Sequence, residues 1–213
     1  MPLAVLFRES SLVVVDKPAG LPVEADSLEC VVALAARELG PPGGRAFPRV
    51  VHRLDRDTSG CLALALSDKA ARAMARAFDE GIVEKEYLAL VQGEPPAEGS
   101  CDTAYGKDPR DARRFTTRVE TAKRARLRYS VVERLPGRAL LRVVLDTGRT
   151  HQIRVQLSEA GFPVVGDAVY GVPGAPRQLL HAARLAVKPL GIDCTAPLPG
   201  DFAQALAESG SKI

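Results

Sequence analysis

The sequence predicts an α+β protein built on a mixed, mostly antiparallel sheet with flanking helices. Short apolar runs of strand length alternate with turn signals along most of the 213 residues. Only about three segments repeat their apolar residues at helical spacing. Two apolar runs are joined by a Pro136–Gly137 turn, the connection an antiparallel pair needs. No internal repeat, low-complexity segment or long linker divides the chain, so residues 1–213 read as one domain.

Leu3 to Phe7 and Ser11 to Val15 read as the first strands, and DKPAGLPV then breaks the pattern with two prolines and a glycine. Asp26 is placed to cap a helix, with Glu29 three residues on. That helix runs through CVVALAARELG and stops at Gly40, before Pro41 and Pro42 and the PPGGR loop. CLALAL, Cys61 to Leu66, reads as a buried strand. Ser67 or Asp68 caps the helix DKAARAMARAFDEG, whose Ala71, Met74 and Phe78 face the core.

KEYLALV follows as a strand, with Lys85 and Tyr87 on one face and Leu88 and Leu90 on the other. RLRYSVVERL and ALLRVVLDTG form the hairpin around Pro136–Gly137. Thr150 caps HQIRVQLSEAG, in which Ile153, Leu157 and Ala160 face the core. FPVVGDAVYG, LLHAARLAV and KPLG are short apolar runs between turns. Residues 203–213 form a polar tail expected to fray.

Composition narrows the function classes. No apolar run reaches the length of a membrane span, and MPLAVLFRESSL lacks the basic and apolar regions of a signal peptide, so a cytoplasmic protein is expected. Cys30, Cys61, Cys101 and Cys194 are scattered without CxxC spacing and read as reduced, mostly buried thiols; no metal site is expected. The net charge is +3, yet Lys107 to Arg142 holds twelve Lys/Arg against four Asp/Glu. That tract is +8 and the rest of the chain −5. A polyanionic partner and a solvated basic surface both fit this asymmetry.

Three constellations carry possible chemistry. HRLDRDTSG, His52 to Gly60, concentrates charge between apolar runs. Extended, it would point Arg53, Asp55 and Asp57 the same way, with Thr58-Ser59-Gly60 as a turn. An ion-paired loop is the alternative. GRTHQIR sets Arg149 and His151 at a helix start and Arg154 one turn in, an arrangement suited to an anion. KEYLALV places Tyr87 beside Lys85. A hydrolase using Asp55 with His52 or His151 lacks an evident nucleophile or GxSxG elbow.

These motifs, in this order, resemble the RluA-type pseudouridine synthases. The pieces are DKPAGLPV, HRLDRDTSG, KEYLALV, GRTHQIRVQL and LLHAARLAVKP, and the resemblance runs from about residue 5 to residue 202. It implies the pseudouridine synthase fold, with a central catalytic cleft in the sheet. It implies isomerisation of a uridine within RNA, without cofactor or metal; a tRNA or rRNA stem-loop is the expected substrate and a monomer the default. Asp55 would be the catalytic carboxylate, and Arg154 would touch it and keep it charged and oriented. Tyr87 would sit by the uracil, and Arg53 would fill the stack vacated by the flipped base. His52, Lys85, Lys107, Arg110, Arg113, Arg114, Arg149 and His151 would contact RNA, with Tyr105 and Phe115 as the few aromatics able to stack. Many members carry an N-terminal S4 RNA-binding domain, which this protein is expected to lack, and Leu127 stands where a threonine is often found. A catalytically silent RNA-binding protein of the same fold is the alternative.

Overall fold

The computed structural model describes residues 2–9, 11–26, 28–39 and 48–212. In chain order these residues form β1 (Ala4–Glu9), β2 (Leu12–Lys17), α1 (Val31–Leu39), β3 (Arg49–Val50), β4 (Ser59–Ala65) and α2 (Asp68–Asp79). There follow β5 (Glu84–Gln92), β6 (Glu98–Ala104), β7 (Gly106–Lys107), β8 (Phe115–Thr116), β9 (Arg124–Leu135) and β10 (Arg138–Leu145). The chain ends with α3 (Gln152–Glu159), β11 (Leu180–Val187), a 3-10 turn at Lys188–Leu190, β12 (Ile192–Thr195) and α4 (Gly200–Glu208). The strand ladders with a defined register are all antiparallel, in keeping with the mostly antiparallel sheet the sequence predicts.

Two compact units divide these elements: residues 1–85 with 182–198, and residues 86–181 with 199–213. In the first unit β2 lies between β1 and β4, β3 pairs with the end of β4, and β12 pairs with β11. All seven residues of β4 are buried, which is why CLALAL shows no alternation. Its Cys61, Ala63 and Ala65 pack with Met74 and Ala77 of α2 and with Leu185, Val187 and Ile192. The Ser67 hydroxyl caps α2 by accepting from the Ala70 N–H at 3.1 Å. In the second unit the strands run β5-β10-β9-β6, with the two-residue Pro136–Gly137 turn closing the β9–β10 hairpin. Gly137 takes φ 65°, the left-handed conformation that turn requires.

Five local expectations change. The helix after DKPAGLPV begins at Val31, so Asp26 lies too far upstream to cap it. Cys30 does so instead: its Sγ accepts from the Ala33 N–H at 3.4 Å, and the Pro22 and Val23 carbonyls take the N–H groups of Val31 and Val32. The stop at Gly40 and the PPGGR loop lie outside the described residues.

Ser59 and Gly60 belong to β4 rather than to a turn; the turn is earlier, closed by the Thr58 N–H on the Asp55 carbonyl at 3.1 Å. Gly60 is needed because its φ is 110° and a Cβ there would fall 2.2 Å from the Ala182 carbonyl oxygen.

α3 is capped not by Thr150 but by His151, in the left-handed region at φ 56°, and Ala160 is exposed. Gln152 through Leu157 are all buried, so this helix has no single core face. The polar tail forms a fourth helix, α4, anchored by buried Phe202 and Leu206. Beyond it the Lys212 N–H donates to Glu133 at 3.0 Å.

Candidate functional site

In the first unit, HRLDRDT lies in the loop between β3 and β4, and Ser59 and Gly60 open β4. It is not extended; the Asp55–Thr58 turn bends it, leaving Arg53 exposed and Asp55 and Asp57 half-buried. Lys17, which is 0% exposed, holds the loop from below. Its ammonium donates to the carbonyls of Pro18 (2.8 Å), Leu21 (2.8 Å) and Arg56 (2.7 Å). A buried lysine is tolerated only with such partners. Arg56 returns the contact, donating through Nε to the Gly20 carbonyl at 2.9 Å. The DKPAG turn and the residue after Asp55 are thereby locked together.

His52 braces the other side. Its Nε2 accepts from the Ala63 N–H of β4 at 2.9 Å, and its ring packs on Phe78 of α2 at 5.6 Å. Burial, with a smaller push from the Lys85 charge, lowers its pKa to about 4, so it is neutral at neutral pH. The Lys85 ammonium lies 5.6 Å from the Phe78 ring centre. Cys61 lies behind the loop; burial drives its thiol up to about 12, which makes it inert.

In the second unit, α3 carries Arg154 into a buried site. Its guanidinium makes a bidentate pair with Asp167, Nε to Oδ2 at 2.6 Å and Nη2 to Oδ1 at 2.9 Å. Asp167 Oδ1 also accepts the N–H groups of Val169 (2.9 Å) and Tyr170 (3.1 Å). Burial pushes the Asp167 carboxyl up, but the Arg154 hydrogen bonds and charge outweigh it and hold the group below its ordinary value. The pair fixes the guanidinium plane. Tyr87 lies on β5, 7% exposed, opposite Val143 of β10.

The start of α3 is held by Gln152, whose Oε1 accepts the Arg149 N–H (3.0 Å) and the Thr147 hydroxyl (2.8 Å). The Tyr105 hydroxyl donates to the Thr150 carbonyl at 2.6 Å. The strained His151 is held by Nδ1 against the Tyr170 hydroxyl at 3.2 Å.

The expected RNA-contacting residues separate into two groups. Lys107, Arg110, Arg113, Arg114 and Arg149 are exposed, the first four on or between β7 and β8. His52, Lys85 and His151 are half-buried and packed against neighbouring rings. Tyr105 and Phe115 stack on each other at 5.8 Å, and Tyr105 is buried in the cluster with Val155 and Tyr170. It is a packing residue, not a platform for a base. Sequence reasoning missed Lys17, Asp167 and Tyr170. Lys17 had a signal, a lysine closing an apolar strand run before a proline; Asp167 and Tyr170 had none short of the fold.

The fold is that of pseudouridylate synthase domains. The chain matches the structure titled "Human RNA Pseudouridylate Synthase Domain Containing 1" with a TM-score of 0.80 at 26% identity, covering 99% of this chain and 95% of that one. It matches "Human RNA Pseudouridylate Synthase Domain Containing 4" with a TM-score of 0.81 at 24% identity, over 99% and 94%.

The RNA pseudouridylate synthase family model matches residues 11–159, and the chain belongs to that family. It is 45% identical to an uncharacterised RNA pseudouridine synthase of Chloroflexus aurantiacus over 75% of this chain and 53% of that protein. It is 38% identical to the "Ribosomal large subunit pseudouridine synthase D" of Nitrosomonas europaea over 97% and 65%. A third relative, an uncharacterised RNA pseudouridine synthase of Zymomonas mobilis, is 39% identical over 93% and 94%. The chain thus spans between half and two thirds of the length of the first two. Among the described residues no helix is long and apolar enough to cross a membrane.

Proposed function

We propose that this chain isomerises uridine in RNA to pseudouridine. The N1 glycosidic bond of the uridine breaks, C1′ of the sugar rejoins the base at C5, the C5 proton leaves and N1 gains one. Asp55 supplies the catalytic carboxylate, acting at the anomeric carbon or on a sugar proton. Arg154 supplies a positioned guanidinium, and Tyr87 a hydroxyl on the uracil side that assists loss of the C5 proton. Arg53 takes the place of the extruded base, and Lys107, Arg110, Arg113, Arg114 and Arg149 contact phosphates. His52, Lys85 and His151 support those contacts from the packed side.

The observation that carries this reading is the placement of Asp55. In a chain of this family, it sits half-buried on a loop braced from two directions by Lys17 and His52. A catalytic carboxylate needs such pre-organisation. The substrate is an rRNA or tRNA stem-loop. The relative named for the ribosomal large subunit makes rRNA the first to try.

The test is to incubate the chain with rRNA and tRNA transcripts and map pseudouridine by carbodiimide-stop sequencing. Wild type is expected to mark discrete uridines, and Asp55→Asn to lose at least about a hundredfold in rate. Wild-type binding without any mark would favour a silent RNA-binding protein. Equal marking by the Asn variant would remove Asp55 from the reaction.

A further inference from the structure

Tyr170 stands at a junction to which the reaction assigns no role. The Arg154 guanidinium carbon is 5.2 Å from its ring centre, and that of Arg114 is 5.1 Å away. Its hydroxyl accepts the Phe115 N–H at 2.9 Å and meets His151 Nδ1 at 3.2 Å. Its own N–H donates to Asp167, the partner of Arg154, and its carbonyl accepts the Ser158 hydroxyl of α3 at 2.6 Å. Arg114 and Phe115 belong to the β7–β8 hairpin, whose far strand is also tied to the last turn of α3. There Glu159 accepts the Thr116 hydroxyl at 2.6 Å and the Thr117 N–H at 3.0 Å, and it also bonds the Thr117 hydroxyl. One buried ring therefore touches both an exposed arginine of the hairpin and the buried arginine of the helix.

The two guanidiniums draw on one ring quadrupole and repel each other through it. An anion on Arg114 neutralises that charge and weakens the competition. The ring and Asp167 then hold Arg154 alone. We propose that Tyr170 is a positioning residue that couples phosphate seating on Arg114 to the setting of Arg154, so that RNA on the hairpin strengthens the ring's hold on a guanidinium that Asp167 already orients. This rests on the reading of Arg154 as part of the catalytic set.

The experiment uses the whole chain and the stem-loop transcript marked most strongly in the mapping above, with uridine tritiated at C5. Single-turnover tritium release at saturating RNA gives the rate, and filter binding gives the affinity. Tyr170→Leu, which removes the quadrupole, is expected to slow the saturated rate about five- to tenfold while affinity moves less than about twofold. Tyr170→Phe keeps the ring and is expected to restore most of that rate.

Arg114→Ala is expected to slow the saturated rate as well as weaken binding, and to cause no further slowing in the Tyr170→Leu background. Multiplying effects, or an Arg114→Ala variant impaired in affinity alone, would overturn the coupling. If Tyr170→Leu does not fold, Arg114→Ala in the wild-type background decides the matter by the same criterion. Asp55→Asn separates the two failures. A fully active Asn variant overturns the catalytic reading beneath the proposal. An inactive one alongside multiplying effects overturns the coupling alone.

Discussion

Lys17 shows how much a single residue can decide. Its charge is withdrawn from water completely, and three carbonyls replace that hydration. Two of those carbonyls, from Pro18 and Leu21, sit in a turn where no strand partner is available to them. The third belongs to Arg56, next to Asp55. Lys17→Met keeps the length of the stem but leaves three acceptors without this donor. It is expected to lower the unfolding free energy by about 3 kcal/mol. Urea denaturation followed by circular dichroism reads this, and an unchanged midpoint would mean the ammonium does not hold the loop. His52 is the uncharged counterpart. Its Nε2 accepts the Ala63 N–H, so the neutral ring carries its own N–H on Nδ1. The motif told where Asp55 sits along the chain. It did not tell that its neighbours serve mainly to hold the loop still.

At the scale of elements, most of the longer strands and the β9–β10 hairpin were legible because their signals are local, whereas β6 and the short β7–β8 hairpin were not. Alternation, a two-residue turn and an N-cap serine each act within a few positions. α3 was misjudged for the opposite reason. It is short and buried all round, so its sequence carries no polar stripe to orient it. Its cap is a strained histidine held by tertiary partners rather than a threonine bonded to its own first turn. Gly60 makes the same point for β4. Its sequence suggested a turn, but the strand needs it so that the backbone of β11 can come close.

Gly60→Ala meets both a positive φ and a carbonyl oxygen 2.2 Å from the new carbon. It is expected to cost about 3 kcal/mol or more, with a visible drop in melting temperature. Gly20→Ala has a similar φ of 82° but open space around it. It should cost only about 1 kcal/mol. Equal losses for the two variants would show that the close approach to Ala182 is not what requires glycine.

Across the whole molecule, the charge tally overstated the basic surface. The tract from Lys107 to Arg142 is +8 in sequence. In the fold, Arg124 pairs with Asp102, Arg128 with Asp146 and Arg142 with Glu86. Those carboxylates come from strand and loop residues outside the tract. Exposed pairs of this kind add little stability, but they do cancel field. The charge left over is shared between the β7–β8 hairpin, where Arg113 pairs with Asp111, and exposed Arg118, Lys123 and Arg126 beyond it.

Acid stability is a property of the same scale. The unfolded His52 imidazole takes its proton near pH 6.5, the folded one only near pH 4. Between those values the unfolded chain holds the extra proton, so stability is complete above pH 6.5 and falls as pH drops toward 4. The slope from this residue is at most about 1.4 kcal/mol per pH unit. Asp167 and Glu159, both held below their ordinary values, add further loss at lower pH as they protonate. His52→Gln keeps an acceptor for Ala63 and should flatten the upper part of this profile, read from urea midpoints between pH 7 and 4. Parallel profiles for the two proteins would rule His52 out as the source.

The sequence by itself determined the first three helices and most of the longer strands, the buried β4, the hairpin at Pro136–Gly137 and the family to which the motifs point. Each of these depends on residues close together in the chain, whose periodicity or turn chemistry acts wherever the chain folds. The tertiary structure alone decided which partner answers each buried charge. Lys17 meets three carbonyls, one of them 39 positions away, and Arg154 meets Asp167 at a separation of 13. A buried ion must find whatever acceptor the packed backbone brings within about 3 Å, and that depends on how distant segments meet.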